Sequence, residues 1–286
     1  MATIPLTLIF GAGRAGLALA SAIGLAGGQA RVVARSPAGE ARIRARGLDH
    51  GSAQDAAALW ILAVPDDVLP RLSSVLATEL RSPLPAVALH LSGGAALDAL
   101  EPLSVLGVST GWMHPLQTLT FSSPSNALQG VPAAVGGSGA AAAAAYALAT
   151  TIGMQPFAVS DADRPKYHAA ATLGSSFAVA LMDVAIQAAI DAGVPPVLAR
   201  NGIARLTATA AERVGAEGTT EALTGPIRRG DVGTVVRHLD ALDATLPAHG
   251  LIYRVMAART LALAQKSGMP PETVAAMQQA LAPRAR

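Results

Sequence analysis

Ile4-Pro5-Leu6-Thr7-Leu8-Ile9-Phe10-Gly11-Ala12-Gly13-Arg14-Ala15-Gly16 sets an apolar run directly before the spacing G-x-G-x-x-G. Ile4, Leu6, Leu8, Ile9 and Phe10 read as a buried strand, the glycines as a turn, and Ala15 to Ala26 as a small-faced helix. Each glycine has a separate mechanical task. Gly11 makes the tight turn, Gly13 lets the backbone approach a pyrophosphate, and Gly16 lets helix and strand pack closely. An anion would then rest on the unpaired amides at the helix start. In a chain with 28 glycines the spacing alone arises easily by chance. What gives it weight is the strand before it, the helix after it and a second strand at Ala30 to Ala34, which together make a βαβ unit.

The end of that second strand bears on the nucleotide. NAD-binding versions place an Asp or Glu there to hold the ribose hydroxyls, and NADP-binding versions place an Arg and small hydroxyl residues. Here Arg31-Val32-Val33-Ala34 runs into Arg35-Ser36, with no carboxylate between Gly16 and Glu40. Arg35 offers a fork of donors to a ribose phosphate and Ser36 a hydroxyl, so the expected cofactor is NADP. Arg14 is a second cation near the phosphates, or an exposed Arg at a helix start. Arg42, Arg44 and Arg46 read as a solvated face.

The chain has 286 residues, 51% of them hydrophobic and 14% charged, which suits two well-packed domains. Two lysines, Lys166 and Lys266, stand among nineteen arginines, so arginine abundance by itself carries little meaning. A net charge of +2 and 3% aromatic content argue against a nucleic-acid partner. Cysteine is absent, which excludes disulfides and Cys-ligated metals and suits a cytoplasmic location. The N-terminus enters its first strand at once, with no signal-peptide pattern, and stretches such as Gly136 to Ser160 are too weakly apolar for a membrane span. No membrane partner and no metal are expected.

Short apolar runs at Leu59 to Val64, Ala86 to Leu91, Leu106 to Ser109, Val131 to Val135 and Pro156 to Val159 read as strands. Asp66 to Glu79 and Ala140 to Ile152 have helical length between them. After Ser160 the pattern is helical throughout: Asp163 or Pro165 to Ala192, Pro196 to Val214, Asp231 to Leu246, Leu251 to Lys266 and Pro271 to Leu281. The expected fold class is therefore α/β, a doubly wound parallel sheet over residues 1–160 followed by an all-helical domain over 161–286.

The chemistry-bearing residues sit just after strands or at the start of the helical part. Val64-Pro65-Asp66-Asp67 follows one strand beside the glycine turn, where such a loop passes over a dinucleotide; Asp66 serves there as ligand or helix N-cap. Ser92, in His90-Leu91-Ser92-Gly93-Gly94, caps a turn or faces the cleft. His114, in Gly111-Trp112-Met113-His114-Pro115-Leu116-Gln117, is held extended by the following Pro and is a proton donor, a substrate ligand or a structural hydrogen-bonder. On the first long helix, Lys166 and His168 diverge by about 200°, so one cleft cannot take both unless the helix start is distorted. His168, Thr172, Ser175 and Ser176 form a polar stripe at i, i+4, i+7 and i+8, lining a cleft or joining helices. Farther on, Asp231 reads as a helix cap, while Arg228 and Arg229 attract an anion or face solvent.

Taken together, GAGRAG (11–16), AVPDD (63–67), HLSGG (90–94), MHPLQT (113–118), KYHAAATLGSS (166–176) and ALTGPIRRGD (222–231) resemble a family of two-domain proteins. Its members join an N-terminal Rossmann-like domain to a C-terminal domain of unknown function of the 2520 type. That family is related to 6-phosphogluconate, 3-hydroxyisobutyrate and prephenate dehydrogenases and to pyrroline-5-carboxylate reductase. The resemblance implies an NADP-dependent dehydrogenase or reductase and a homodimer through the C-terminal helices. The hydroxy-acid dehydrogenases follow a catalytic Lys by an Asn one turn later, where this chain has Ala170 after Lys166, and the closer family commonly has Asn where this chain has Ser176.

The leading expectation is hydride transfer to or from a small carbonyl or imine, a carboxylate-bearing one if Arg228 or Arg229 takes part. The candidate catalytic residues are His168, His114, Ser92 and Lys166. Gly11, Gly13, Arg14, Gly16, Arg35, Ser36, Val64 and Pro65 would hold the cofactor. The rival readings are a non-catalytic NADP-binding sensor and a helical dimer with a vestigial nucleotide domain.

Overall fold

Strand β1 (Thr7–Phe10) is apolar at three of its four positions because both of its faces are covered. Its side chains alternate between two cores. Ile9 joins Leu17, Leu19, Ile23 and Val32 on one side, while Leu8 and Phe10 join Trp60, Leu62 and Leu69 on the other. In the computed structural model, which describes residues 4–79 and 83–282, this strand is near the centre of an eight-stranded sheet ordered β3-β2-β1-β4-β5-β6-β7-β8. The partners are β2 (Ala30–Val33), β3 (Asp49–His50), β4 (Leu59–Leu62), β5 (Val87–His90), β6 (Ser109–Pro115), β7 (Pro132–Gly137) and β8 (Gln155–Ala158). All pairings are parallel except that of β6 with β7. Helices α1 (Arg14–Leu25), α2 (Pro37–Ala45) and α5 (Gly139–Thr151) contribute to the first core; α3 (Leu69–Glu79) and α4 (Glu101–Ser104) contribute to the second.

The chain leaves β1 for β2 on one side and returns to β4 on the other. The carboxyl ends of β1 and β4 therefore frame a topological switch point, where ligands of such sheets bind. Register carries the same edge outward, since Leu62 pairs with His90 and His90 with Trp112.

Two elements differ from the sequence expectation. Leu106 to Ser109 is not a strand: Leu106 and Gly107 close a turn after α4, and Leu106 is half exposed. The strand is Ser109–Pro115 instead, so His114 lies in the sheet's edge and not in a loop after it. The expected single helix from residue 163 or 165 to 192 is two helices, α6 (Arg164–Gly174) and α7 (Ser176–Asp191), broken where Ser175 takes φ −120° and ψ −89°.

The chain separates into two compact units, residues 1–175 and 176–286. Sequence pattern alone suggested a change at Ser160; the difference is α6, which packs against the sheet through Arg164 and Tyr167. The second unit comprises α7, α8 (Pro196–Glu217), α9 (Pro226–Arg229), α10 (Val232–Thr245), α11 (Pro247–Lys266) and α12 (Pro271–Leu281). Its core is Ile227, Val235, Leu239, Ala257, Leu261, Val274, Met277 and Leu281, on α9 to α12. Asp231 caps α10 as expected, its Oδ1 accepting from the Thr234 N–H at 3.0 Å. By length and composition the stretch Arg164–Asp191 is apolar enough to cross a membrane. The break at Ser175 leaves α7 with 16 residues, short of the roughly 20 that a helical span needs.

Candidate functional site

The glycine turn has the steric form its sequence implied. Gly11 has φ +123°, and a β-carbon there would stand 2.3 Å from the Ala63 carbonyl oxygen. A β-carbon on Gly16 would stand 2.2 Å from the Gly11 oxygen. Gly13 meets nothing closer than 3.9 Å, so open space lies over the turn. Gly13 is also the N-cap of α1 and no side chain caps that helix, which leaves its first amides for an anion. A cavity of about 540 Å³ opens there, lined by Gly13, Arg14, Val64, Pro65, Asp66, Ser92, His114 and Phe121 among others.

At the end of β2, Arg35 is exposed and has no carboxylate partner among the described residues; the same is true of Arg14. Ser36 caps α2, its Oγ accepting from the Gly39 N–H at 3.1 Å, which leaves the hydroxyl proton to donate. Arg42 and Arg46 are not a bare solvated face. Arg46 donates to the carbonyls of Phe121 and Ser123, both at 2.8 Å, and the Arg42 guanidinium lies 4.7 Å from the Phe121 ring centre. Together they tie the loop after β6 to α2, with Phe121 at the cavity wall.

A second cavity, of about 550 Å³, is lined by His114, Gln117, Thr118, Tyr167, His168, Thr172 and Ser175 with small apolar residues of α6. His114, Pro115 and Gln117 line both cavities. The imidazoles of His114 and His168 meet edge to face with ring centres 5.8 Å apart, and the Tyr167 hydroxyl lies 2.8 Å from His114 Nδ1. Glycines make this closeness possible. A β-carbon on Gly93 would stand 2.9 Å from His168 Cδ2 and 3.0 Å from two carbons of the His114 ring; one on Gly94 would stand 2.8 Å from His168 Nδ1. The Ser92 Oγ accepts from the Gly94 and Ala95 N–H groups at 3.1 and 2.8 Å. Ser92 thus both caps its turn and lines the first cavity.

Beneath these residues lies a buried polar layer. His90 is fully buried, and its Nδ1 accepts from the Ser92 N–H at 3.2 Å. Arg164 is 4% exposed, with its guanidinium 4.6 Å from the Trp112 ring centre; Trp112 Nε1 donates to Asp161 at 3.1 Å. Burial pushes the His114 pKa down to about 4, helped by repulsion from His168 and Arg164 and opposed by Asp66. Burial likewise takes His90 down to about 3 and raises the Tyr167 hydroxyl to about 12. At neutral pH both histidines are uncharged and the phenol keeps its proton.

Of the predicted catalytic residues, Ser92, His114 and His168 come together and Lys166 does not. The Lys166 side chain is 86% exposed, pairs with Asp163 at 3.3 Å, and lines neither cavity. Ser176 also drops out of the polar stripe, because the helix break puts it at the start of α7. Arg228 and Arg229 are on α9 in the second unit. Tyr167, Arg164 and His90 were not singled out from sequence. The signal for Tyr167 was its place beside His168; its partner is 53 residues away in the chain.

Residues 5–115 match the family model of the Rossmann-like domain, and residues 131–260 match that of a domain of unknown function, DUF2520. No curated protein sequence matches the chain. Among solved structures, a protein of Thermotoga maritima superposes with a TM-score of 0.73 at 17% identity, over 92% of this chain and 100% of that one. A Bacteroides fragilis protein described provisionally as an NADP oxidoreductase gives 0.70 at 19%, over 90% and 98%. The 1-pyrroline-5-carboxylate reductase of Streptococcus pyogenes gives 0.62 at 15%, over 92% and 98%. At such identities the likeness is one of fold.

Proposed function

Because this chain joins a Rossmann-like domain to a DUF2520 domain, we propose that it is an NADP-dependent oxidoreductase acting on a small carbonyl or imine. The observation that carries the reading is that His114 lines two cavities at once, the one over the glycine turn and the one walled by α6. The first fits a dinucleotide: uncapped amides of α1, the clearance over Gly13 and the Arg14 guanidinium in its lining suit phosphate, and Arg35, outside that lining at the end of β2, has no carboxylate partner among the described residues. Val64 and Pro65 wall it. When bound, the nicotinamide would supply or accept the hydride. The chain's own residues would orient the reacting group: Ser92 and His114 hydrogen-bond it, and His168 exchanges a proton with it. Among the described residues no Lys or Arg lines the second cavity. The protein would act as a homodimer through α7 and α8, whose apolar residues Phe177, Val179, Leu198 and Leu206 are exposed. That Lys166 lies outside the site favours, as the second reading, an NADP-binding protein without turnover; reduction of small keto acids or cyclic imines with NADPH separates the two.

Fluorescence titration with NADPH and NADH tests the cofactor. The native chain should prefer NADPH, and Arg35→Asp, which puts a carboxylate where the ribose phosphate would lie, should cost tenfold or more in NADPH affinity, about 1.4 kcal/mol. Equal affinity for both nucleotides, or an unchanged preference in the variant, overturns NADP as the cofactor.

A further inference from the structure

The Tyr167 hydroxyl has one proton and two acceptors in reach: His114 Nδ1 at 2.8 Å and the His114 carbonyl at 3.4 Å. The second is too long to compete. Of phenol and imidazole, the phenol is the stronger acid and the imidazole nitrogen the stronger base, so the proton runs from oxygen to nitrogen. A neutral imidazole that accepts at Nδ1 must have its own hydrogen on Nε2. Nε2 makes no hydrogen bond among the described residues, while the ring lines both cavities.

We infer that Tyr167 is a positioning residue that locks His114 in the Nε2–H tautomer, so that a substrate carbonyl or imine nitrogen meets a neutral N–H donor. The donor role rests on the proposed function; the tautomer rests on the 2.8 Å contact and on the relative acidities of phenol and imidazole. The ring is held for the purpose. Tyr167 is itself fixed by an edge contact to Phe157 with ring centres 6.0 Å apart and a tilted contact to Trp112 at 6.5 Å, and Gly93 leaves room for the imidazole beside it. Besides the Tyr167 hydroxyl, the ionisable side chains around His114 are His168, Arg164, Asp66 and His90; burial first, then repulsion from His168 and Arg164, disfavours imidazolium, and Asp66 opposes them. His114 would therefore polarise the bond to be reduced without giving up its proton, and the proton added to the product would come from His168 or from water.

Nitrogen-15 NMR of the imidazoles in the full chain tests this, with the His114 resonances identified by their loss in His114→Gln. Between pH 6 and 8 the native protein should show His114 Nδ1 unprotonated and Nε2 protonated, as a single tautomer. Tyr167→Phe keeps the ring and removes the proton; it should lose the single tautomer, while NADPH affinity stays within about twofold because Tyr167 does not line the cofactor cavity. A native ring protonated at Nδ1, a native mixture, or an unchanged tautomer in Tyr167→Phe overturns the inference. The native spectrum decides by itself should the variant not fold. Failure of the native chain to bind NADPH would instead remove the functional reading and leave the tautomer standing.

Discussion

The two units bury their apolar residues very differently. In the sheet unit even the largest side chains disappear: Trp60 and Trp112 are wholly buried, one on β4 and one on β6. In the helical unit α7 has no buried residue and α8 buries only Ala199, although Phe177, Val179, Leu198 and Leu206 lie along them at 58–68% exposure. Hydropathy therefore does not explain burial here; the presence of a covering layer does. The sheet unit supplies its own on both faces, whereas α7 and α8 pack on each other and leave an apolar surface that water should not keep. A second copy of the chain supplies the missing layer in the proposed dimer. Phe177→Asp with Leu198→Asp should break it, since burying two unpaired carboxylates from each copy costs several kcal/mol, enough to raise the dimer dissociation constant by about a thousandfold or more. Light scattering after gel filtration should show a native dimer and a monomeric variant. A native monomer would mean that the exposed face is not an interface between copies, and the comparison would then need another cover.

Acid should separate the units next. The sheet unit holds two imidazoles neutral, the wholly buried His90 with a pKa near 3 and the partly buried His114 near 4, each below the ordinary 6.5. The helical unit's His238 is also paired with a tyrosine, Tyr253, at 3.0 Å, but at the surface. For these two imidazoles the unfolded chain binds more protons than the folded one between pH 6.5 and the lowered values. The stability is thus whole above pH 6.5 and drains away as pH falls towards 4 and 3. His90 alone should cost on the order of 3 kcal/mol by pH 4. Both tryptophans are in the sheet unit, so urea unfolding followed by their fluorescence reads that unit directly. The midpoint should fall between pH 7 and pH 4.5, and His90→Asn should flatten the slope. A pH-independent midpoint would show that the imidazoles are charged or wet in the folded protein.

How far these differences could be read from sequence depends on the range of the contacts that cause them. The turn at Gly11, Gly13 and Gly16 was legible because its three tasks fall within six residues of chain, and Gly11 and Gly16 each exclude a side chain while Gly13 faces open space. Ser92 and His114 were legible as residues at the ends of strands. Lys166 was misleading: being one of two lysines drew attention to it, but helix geometry sends it outward to Asp163. Tyr167 and Arg164 work through Trp112 and His114, some fifty residues away, and periodicity has nothing to say about such pairs. The strand misplaced at Leu106 to Ser109 is a short apolar run, for which pattern cannot tell strand from turn. Arg42 and Arg46 looked solvated because their partners are carbonyls and a ring in a distant loop, not carboxylates on their own helix. The break at Ser175 has Gly174 before it but no proline, and an apolar sequence on both sides hides it.

The smallest effect is also the most discriminating, because one substitution should have opposite signs in the two units. In Gly16→Ala the new methyl meets the Gly11 carbonyl oxygen at 2.2 Å and Ala63 Cβ at 3.1 Å. Backbone cannot swing aside as a side-chain tip can, so α1 must lift from β1, at a cost of about 1–3 kcal/mol and a loss of NADPH affinity. In Gly202→Ala, within α8, the methyl meets nothing within 4 Å, and replacing a helical glycine should stabilise by roughly 1 kcal/mol. Both follow from urea unfolding of the full chain. If Gly202→Ala instead destabilises, and lowers the dimer fraction as it does so, then the space beside Gly202 is filled by the second copy. The glycine would then be as sterically required as Gly16, by a neighbour from another chain.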